Sequence, residues 1–173
     1  AVTRSFEKDI SDFDELKERV VTFASVCSEK LRKQNSCCYG VILYLSKDRF
    51  RAEGSKYSFY RLQTLSFPSN TAFSISGLAI KMLKELYEEG AVYKKAGVIV
   101  GCLTPAESHQ LKFFGGEDVR HIEIMKSMDS LNKRYGNKVV FARNDLQRRH
   151  KMKQEKLSPC YTTRIEDILT IKC

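Results

Sequence analysis

The stretch CCYGVILYLS, residues 37–46, decides the fold. It is rich in β-branched and aromatic residues, which reads as a strand. Side chains along a strand alternate between two faces. Here both faces are apolar, and a strand covered on both sides belongs in the middle of its sheet.

Upstream of it, Phe13, Leu16, Val20, Phe23, Ala24, Cys27 and Leu31 recur at spacings of three and four, the apolar face of one helix. Asp12, three residues before Glu15, predicts a cap at its start, and QNS at 34–36 ends it near Lys33. Residues 2–6 read as a short strand ahead of that helix. Downstream, residues 47–55 form a charged loop and 57–67 a second strand. Pro68 is expected to break that strand, with Ser69 or Asn70 capping a helix over 71–89 and Gly90 closing it. Residues 94–103 read as a strong strand closed by Pro105.

The order strand, helix, strand, strand, helix, strand predicts an α+β fold of two layers: a four-stranded sheet with two helices on one face. The opposite face is left for solvent or for a partner. Beyond Pro105 the pattern changes. Residues 105–118 read as a linker. Residues 119–135 read as an amphipathic helix with Ile122, Ile124, Met125, Met128 and Leu131 as its apolar set, stopped by Gly136. A short strand is expected over 138–142. Residues 147–156 carry Arg148, Arg149, Lys151, Lys153 and Lys156 against Glu155, a run that suits DNA, an acidic partner or a solvated helix face. Three units follow: a domain over 1–104, a linker over 105–118 and a mostly helical extension over 119–173.

The 173 residues carry a net charge of +9. The excess is spread along the chain, with 16 basic and 12 acidic residues up to position 104 and 14 and 9 after it. Such an excess suits a polyanion, nucleic acid being the common one, and equally a basic protein without such a partner. No apolar run spans a membrane and no apolar leader opens the chain, so a cytoplasmic location is expected. The start at Ala1 reads as a cut from a longer protein, or as processing.

Catalytic groupings are missing. There is no phosphate-binding glycine loop and no nucleophile elbow. The strands carry almost no acids with which to hold metal for phosphoryl transfer. The acids Asp12, Asp14 and Glu15 cluster at a helix start, where acids favour the dipole. The cysteines at 27, 37, 38, 102, 160 and 173 form no C-x-x-C pair, and His109, His121 and His150 complete no zinc spacing with them. Free thiols are expected, with no metal site and no cofactor.

The pentapeptide QLKFF, residues 110–114, places a Leu and two aromatics in a polar linker. It reads either as a docking peptide or as a loop that folds its aromatics onto the core. It resembles the bacterial sliding-clamp-binding pentapeptide, Q-L-x-L-F, with Phe113 in place of the second Leu. AVTRSF at 1–6, YKKAGV at 93–98 and LSPCYTTR at 157–164 resemble, in that order, the C-terminal half of the UmuC family, the Y-family catalytic subunits of bacterial DNA polymerase V. Cys160 departs from the family's usual Arg.

That resemblance implies a little finger domain over 1–104 that grips the DNA backbone through its sheet. The metal-binding catalytic domains, with Mg²⁺, would lie upstream of Ala1. It implies DNA contacts from Arg4, Ser5, Arg61, Thr64, Lys94 and Lys95, and clamp contacts from Gln110, Leu111, Phe113 and Phe114. It also implies an accessory dimer of the processed UmuD type and the RecA filament as partners, in SOS mutagenesis and translesion synthesis. Two other readings stand beside it. One is an adaptor that binds a protein through residues 110–114 without DNA, and the other is a small independent enzyme.

Overall fold

The computed structural model describes residues 1–47, 57–108, 116–136, 138–142, 144, 159–160 and 164. Its elements run β1 (Val2–Ile10), α1 (Phe13–Lys33), β2 (Ser36–Lys47), β3 (Ser58–Ser69), α2 (Ala72–Leu86), β4 (Tyr93–Pro105), a short 3₁₀ turn (Ala106–Ser108) and α3 (Val119–Tyr135). The four strands form one antiparallel sheet in the order β1-β4-β2-β3. The βαββαβ order is the expected one, and β2 is interior in the sheet, but the helices cover only one of its two apolar faces, leaving Ile42 and Tyr44 half-buried on the other.

The core lies between the sheet and the two helices. Val41, Leu43 and Leu45 of β2 and Ala96 and Val98 of β4 point to the helices and are fully buried. They meet Leu16, Val20, Ala24 and Leu31 of α1 and Ile75, Ala79, Met82 and Leu83 of α2. The start of α1 is capped as read: the Asp12 carboxylate accepts from the Glu15 N–H at 2.8 Å.

Four local expectations are corrected. β1 continues four residues past Phe6, because Ile10 returns to the core and pairs with Tyr93 after a break in register. Pro68 does not break β3. β3 is an edge strand, and between Thr64 and Ser69 it holds three more residues than β2 does between Gly40 and Cys38, so Pro68 costs no regular ladder bond. The α2 cap is Thr71, whose hydroxyl accepts from the Ser74 N–H, and not Ser69 or Asn70. α2 also ends at Leu86, short of Gly90. Tyr87 turns out of the helix to pack edge-on against Phe13 and to stack on Tyr93, and its hydroxyl donates to the Ser11 carbonyl at 2.7 Å. The Glu88 N–H, freed from the helix, donates to the Tyr93 hydroxyl at 2.9 Å.

α3 spans the residues that its amphipathic pattern predicts and packs on the helical layer, away from the open face of the sheet. The Arg32 guanidinium of α1 grips Asp129 through Nε at 2.6 Å and Nη2 at 2.8 Å. Just before α3, Glu117 accepts hydrogen bonds from the hydroxyls of Ser69, Thr71 and Ser74 at the N-terminus of α2. His121 stacks on Phe73 with ring centroids 4.2 Å apart. Within α3 only Met125 is buried, while Ile124 and Leu131, expected inward, are exposed. The strand expected over 138–142 is absent: the Asn132 side chain takes both the N–H and the carbonyl of Val139, in place of a strand partner. The basic run at 148–156 lies outside the described residues.

Candidate nucleic-acid interface

The sheet face away from α1 and α2 carries no described element. Its residues fall into cross-strand rows fixed by the register. One row is Ser5–Lys95–Ser46–Ser58, running β1 to β4 to β2 to β3. The next is Thr3–Gly97–Tyr44–Tyr60, and then come Ile99–Ile42–Leu62 and Gly101–Gly40–Thr64. Three of these positions are glycine, Gly97 and Gly101 on β4 and Gly40 on β2, with the Ile99–Ile42–Leu62 row between them.

At Gly97 the absence of a side chain is required. A Cβ there would lie 2.2 Å from Thr3 Cγ2 and 2.9 Å from the Thr3 backbone. Across β2 and β3 stands a ridge. The Tyr44 and Tyr60 rings lie 5.0 Å apart, and the Lys95 ammonium sits 5.9 Å from the Tyr44 ring centre. Tyr60 is 66% and Leu62 62% exposed, so the ridge projects toward whatever meets the sheet.

Seven hydroxyls share this face, from Thr3, Ser5, Tyr44, Ser46, Ser58, Tyr60 and Thr64. Hydroxyls and a lysine can bind phosphate oxygens, fixing register without reading bases. Aromatic rings can pack on sugars or bases. The face therefore suits a nucleic-acid backbone more than a small substrate. No group of three or more His, Cys, Asp or Glu among the described residues could hold a metal ion. Among those residues, too, no helix is long and apolar enough to cross a membrane.

The residues singled out from the sequence divide. Ser5, Thr64 and Lys95 stand on the open face, with Ser5 and Lys95 paired across β1 and β4. Lys94 is skipped by the ladder to β2, which passes from Ser46–Lys95 to Lys47–Tyr93, and its ammonium is held by Asp9 at 2.9 Å. Arg4 is exposed on edge strand β1, on the same side as Val2 and Phe6. Arg61 points to the helical side, where it meets Glu85 of α2 at 3.0 Å. Gln110, Leu111, Phe113 and Phe114 lie outside the described residues. Sequence reading missed Thr3, Tyr44 and Tyr60. Alternation along β2 would have put Tyr44 opposite Leu43 and Leu45, once the helix-facing set was known.

Residues 1–113 match the impB/mucB/samB family C-terminal domain. The chain belongs to that family. Residues 123–171 match a second family, described as a domain of unknown function (DUF4113). Among relatives, the chain is 30% identical to Protein UmuC of Salmonella typhimurium strain LT2 over 98% of its own length and 41% of that protein. It is 33% identical to Protein ImpB of Salmonella typhimurium, over 96% of its length and 40% of the relative. The resemblance to UmuC that the motifs carry thus holds along the chain, which spans about two-fifths of these relatives. A solved structure of a complex of beta-clamp processivity factor and little finger domain of PolIV is similar at a TM-score of 0.46 and 18% identity, over 66% of this chain and 96% of that one.

Proposed function

We propose that this chain is the C-terminal, non-catalytic part of a cytoplasmic translesion DNA polymerase of the UmuC type, and that its open sheet face grips primer-template DNA. The observation that carries the reading is that face itself: a surface lined with hydroxyls, bearing the Tyr44–Tyr60 ridge and Lys95, in a family member with a net charge of +9. Ser5, Lys95 and Thr64 bind phosphates directly. Arg4 and Lys94 reach the backbone from the β1 side, and Arg61 would do so only on leaving Glu85. Catalysis and its Mg²⁺ belong to the parent enzyme, and this part supplies grip. Residues 110–114 tether the polymerase to the sliding clamp, and the extension meets the accessory dimer and the RecA filament.

Counterion release governs binding of this kind, so affinity for primer-template DNA should fall steeply between about 50 and 200 mM salt, with no sequence preference. Anisotropy titrations on two unrelated duplexes test this. A salt-insensitive complex, or one that prefers a sequence, overturns it. For the tether, clamp pulldown should be lost in Leu111→Ala with Phe114→Ala while DNA affinity is kept. Clamp binding without DNA binding would favour the adaptor reading instead.

A further inference from the structure

The open sheet face carries more apolar surface than a duplex backbone can use. Tyr60 and Leu62 stand mostly in solvent, and Tyr44 backs the Tyr60 ring. The row beside the tyrosines adds Ile42 and Ile99, both half-buried. In an intact duplex the flat faces of the bases are covered by their neighbours. Phosphates and sugars alone would meet the hydroxyls and Lys95 and leave the Tyr60 ring with no partner for its face.

The surroundings of the ridge indicate the ligand. On its other side lies the Ser5–Lys95–Ser46–Ser58 row, three hydroxyls and one cation. The Lys95 ammonium leans toward the Tyr44 ring, so the charge sits at the ridge itself. None of the residues in the four rows is acidic. Two residues of strand separate one row from the next, about 7 Å, on the scale of one nucleotide from phosphate to base. A phosphate held by Lys95 and Ser46 therefore brings its base over Tyr44 and Tyr60, provided that base is unpaired and unstacked. A wholly apolar partner would leave the Lys95 row without acceptors. Single-stranded DNA fills both rows, and stacking on an aromatic ring tolerates any base.

We infer that Tyr60, backed by Tyr44, is a stacking platform for unpaired bases, so that the sheet holds single-stranded DNA as well as duplex. The inference rests on the reading of this face as the DNA surface. It names the part of a primer-template that the ridge takes, the unpaired stretch.

The probe is a labelled thymidine strand of about 12 nucleotides, within the usual site size of such platforms, and the control is a twin with the same phosphates and abasic sugars. Anisotropy titrations on the 173-residue chain compare them. The base-bearing strand should bind at least tenfold more tightly. The ratio should hold as salt rises, because both strands release the same counterions. Tyr60→Ala should cut the ratio about tenfold, and Tyr60→Phe should keep it. The Tyr60 side chain is exposed, so circular dichroism should show the fold unchanged. Lys95→Ala should weaken both strands alike and leave the ratio as it was. Equal binding of the two strands, a ratio that vanishes at high salt, or a ratio indifferent to Tyr60→Ala overturns the inference. If duplex is still bound in those cases, the grip on DNA stands without it. Failure of the unaltered chain to bind any of these DNAs overturns both.

Discussion

Thr3 lies against Gly97 so closely that a Cβ on Gly97 would sit 2.2 Å from Thr3 Cγ2 and 2.8 Å from Thr3 Cβ. β1 is an edge strand paired with β4, and at this rung the ladder leaves no room for a side chain on Gly97. Gly97→Ala should therefore lower stability by about 1–3 kcal/mol, the usual cost of overpacking. Chemical denaturation checks the value. Thr3→Gly in the same chain should recover part of the loss.

The two adjacent lysines at the start of β4 should behave differently on DNA. Lys95 stands on the open face above Tyr44, whereas Lys94 is held by Asp9. Lys95→Ala should weaken binding to every duplex alike and reduce the salt slope by about one. Lys94→Ala should do less. Equal effects in titrations at several salt concentrations would place both lysines on phosphates.

Docking of α3 should depend on Asp129. The pair with Arg32 is bidentate, and the same guanidinium also donates to the Asn70 carbonyl at 3.0 Å. Asp129→Asn removes the charge and should cost about 1–2 kcal/mol, within the range for charge-assisted bonds. That corresponds to a fall in Tm of a few degrees for a chain of this size. Restoring the pair in swapped order, Arg32→Asp with Asp129→Arg, should not rescue it, because Arg32 also serves Ser28 and Asn70.

The buried thiols predict an alkaline limit. Burial pushes Cys38 up to about 12 from an ordinary 9.0, and burial also raises Cys27 and Cys37. The unfolded chain loses these protons first, so their contribution is fully present below pH 9 and is lost as pH rises toward 12. For one thiol the slope is at most about 1.4 kcal/mol per pH unit. Denaturation midpoints should fall over that window, and Cys38→Ala should make the fall shallower. Native chain should meanwhile react with thiol reagents at exposed Cys102 and Cys160 before Cys27, Cys37 or Cys38.

Elements whose cause is local were legible in the sequence. The Asp12 cap, the bounds of α3 and the interior position of β2 each follow from residue spacing alone. Features decided by distant contacts were not. Nothing near Tyr87 in sequence shows that Phe13 and Tyr93 will draw it from α2 and end the helix early. The apolar set of α3 read as a single face, yet docking through Met125 and Asp129 left Ile124 and Leu131 outside. At the interface, the positions of Arg61 and Thr64 show the same limit. They lie three apart on one strand and so on opposite faces, and only the packing of α2 says which face is open.

Pro68 has one more effect. An unprotected outer strand is a template on which another chain can add its own, the first step toward aggregation. β3 is such a strand along its outer side, but near its end the added residues and the imino ring interrupt the row of donors. An incoming strand would find its pairing cut short there. The device guards one end of one edge of the sheet, and leaves the regular run Ser58–Thr64 and the β1 edge as they are.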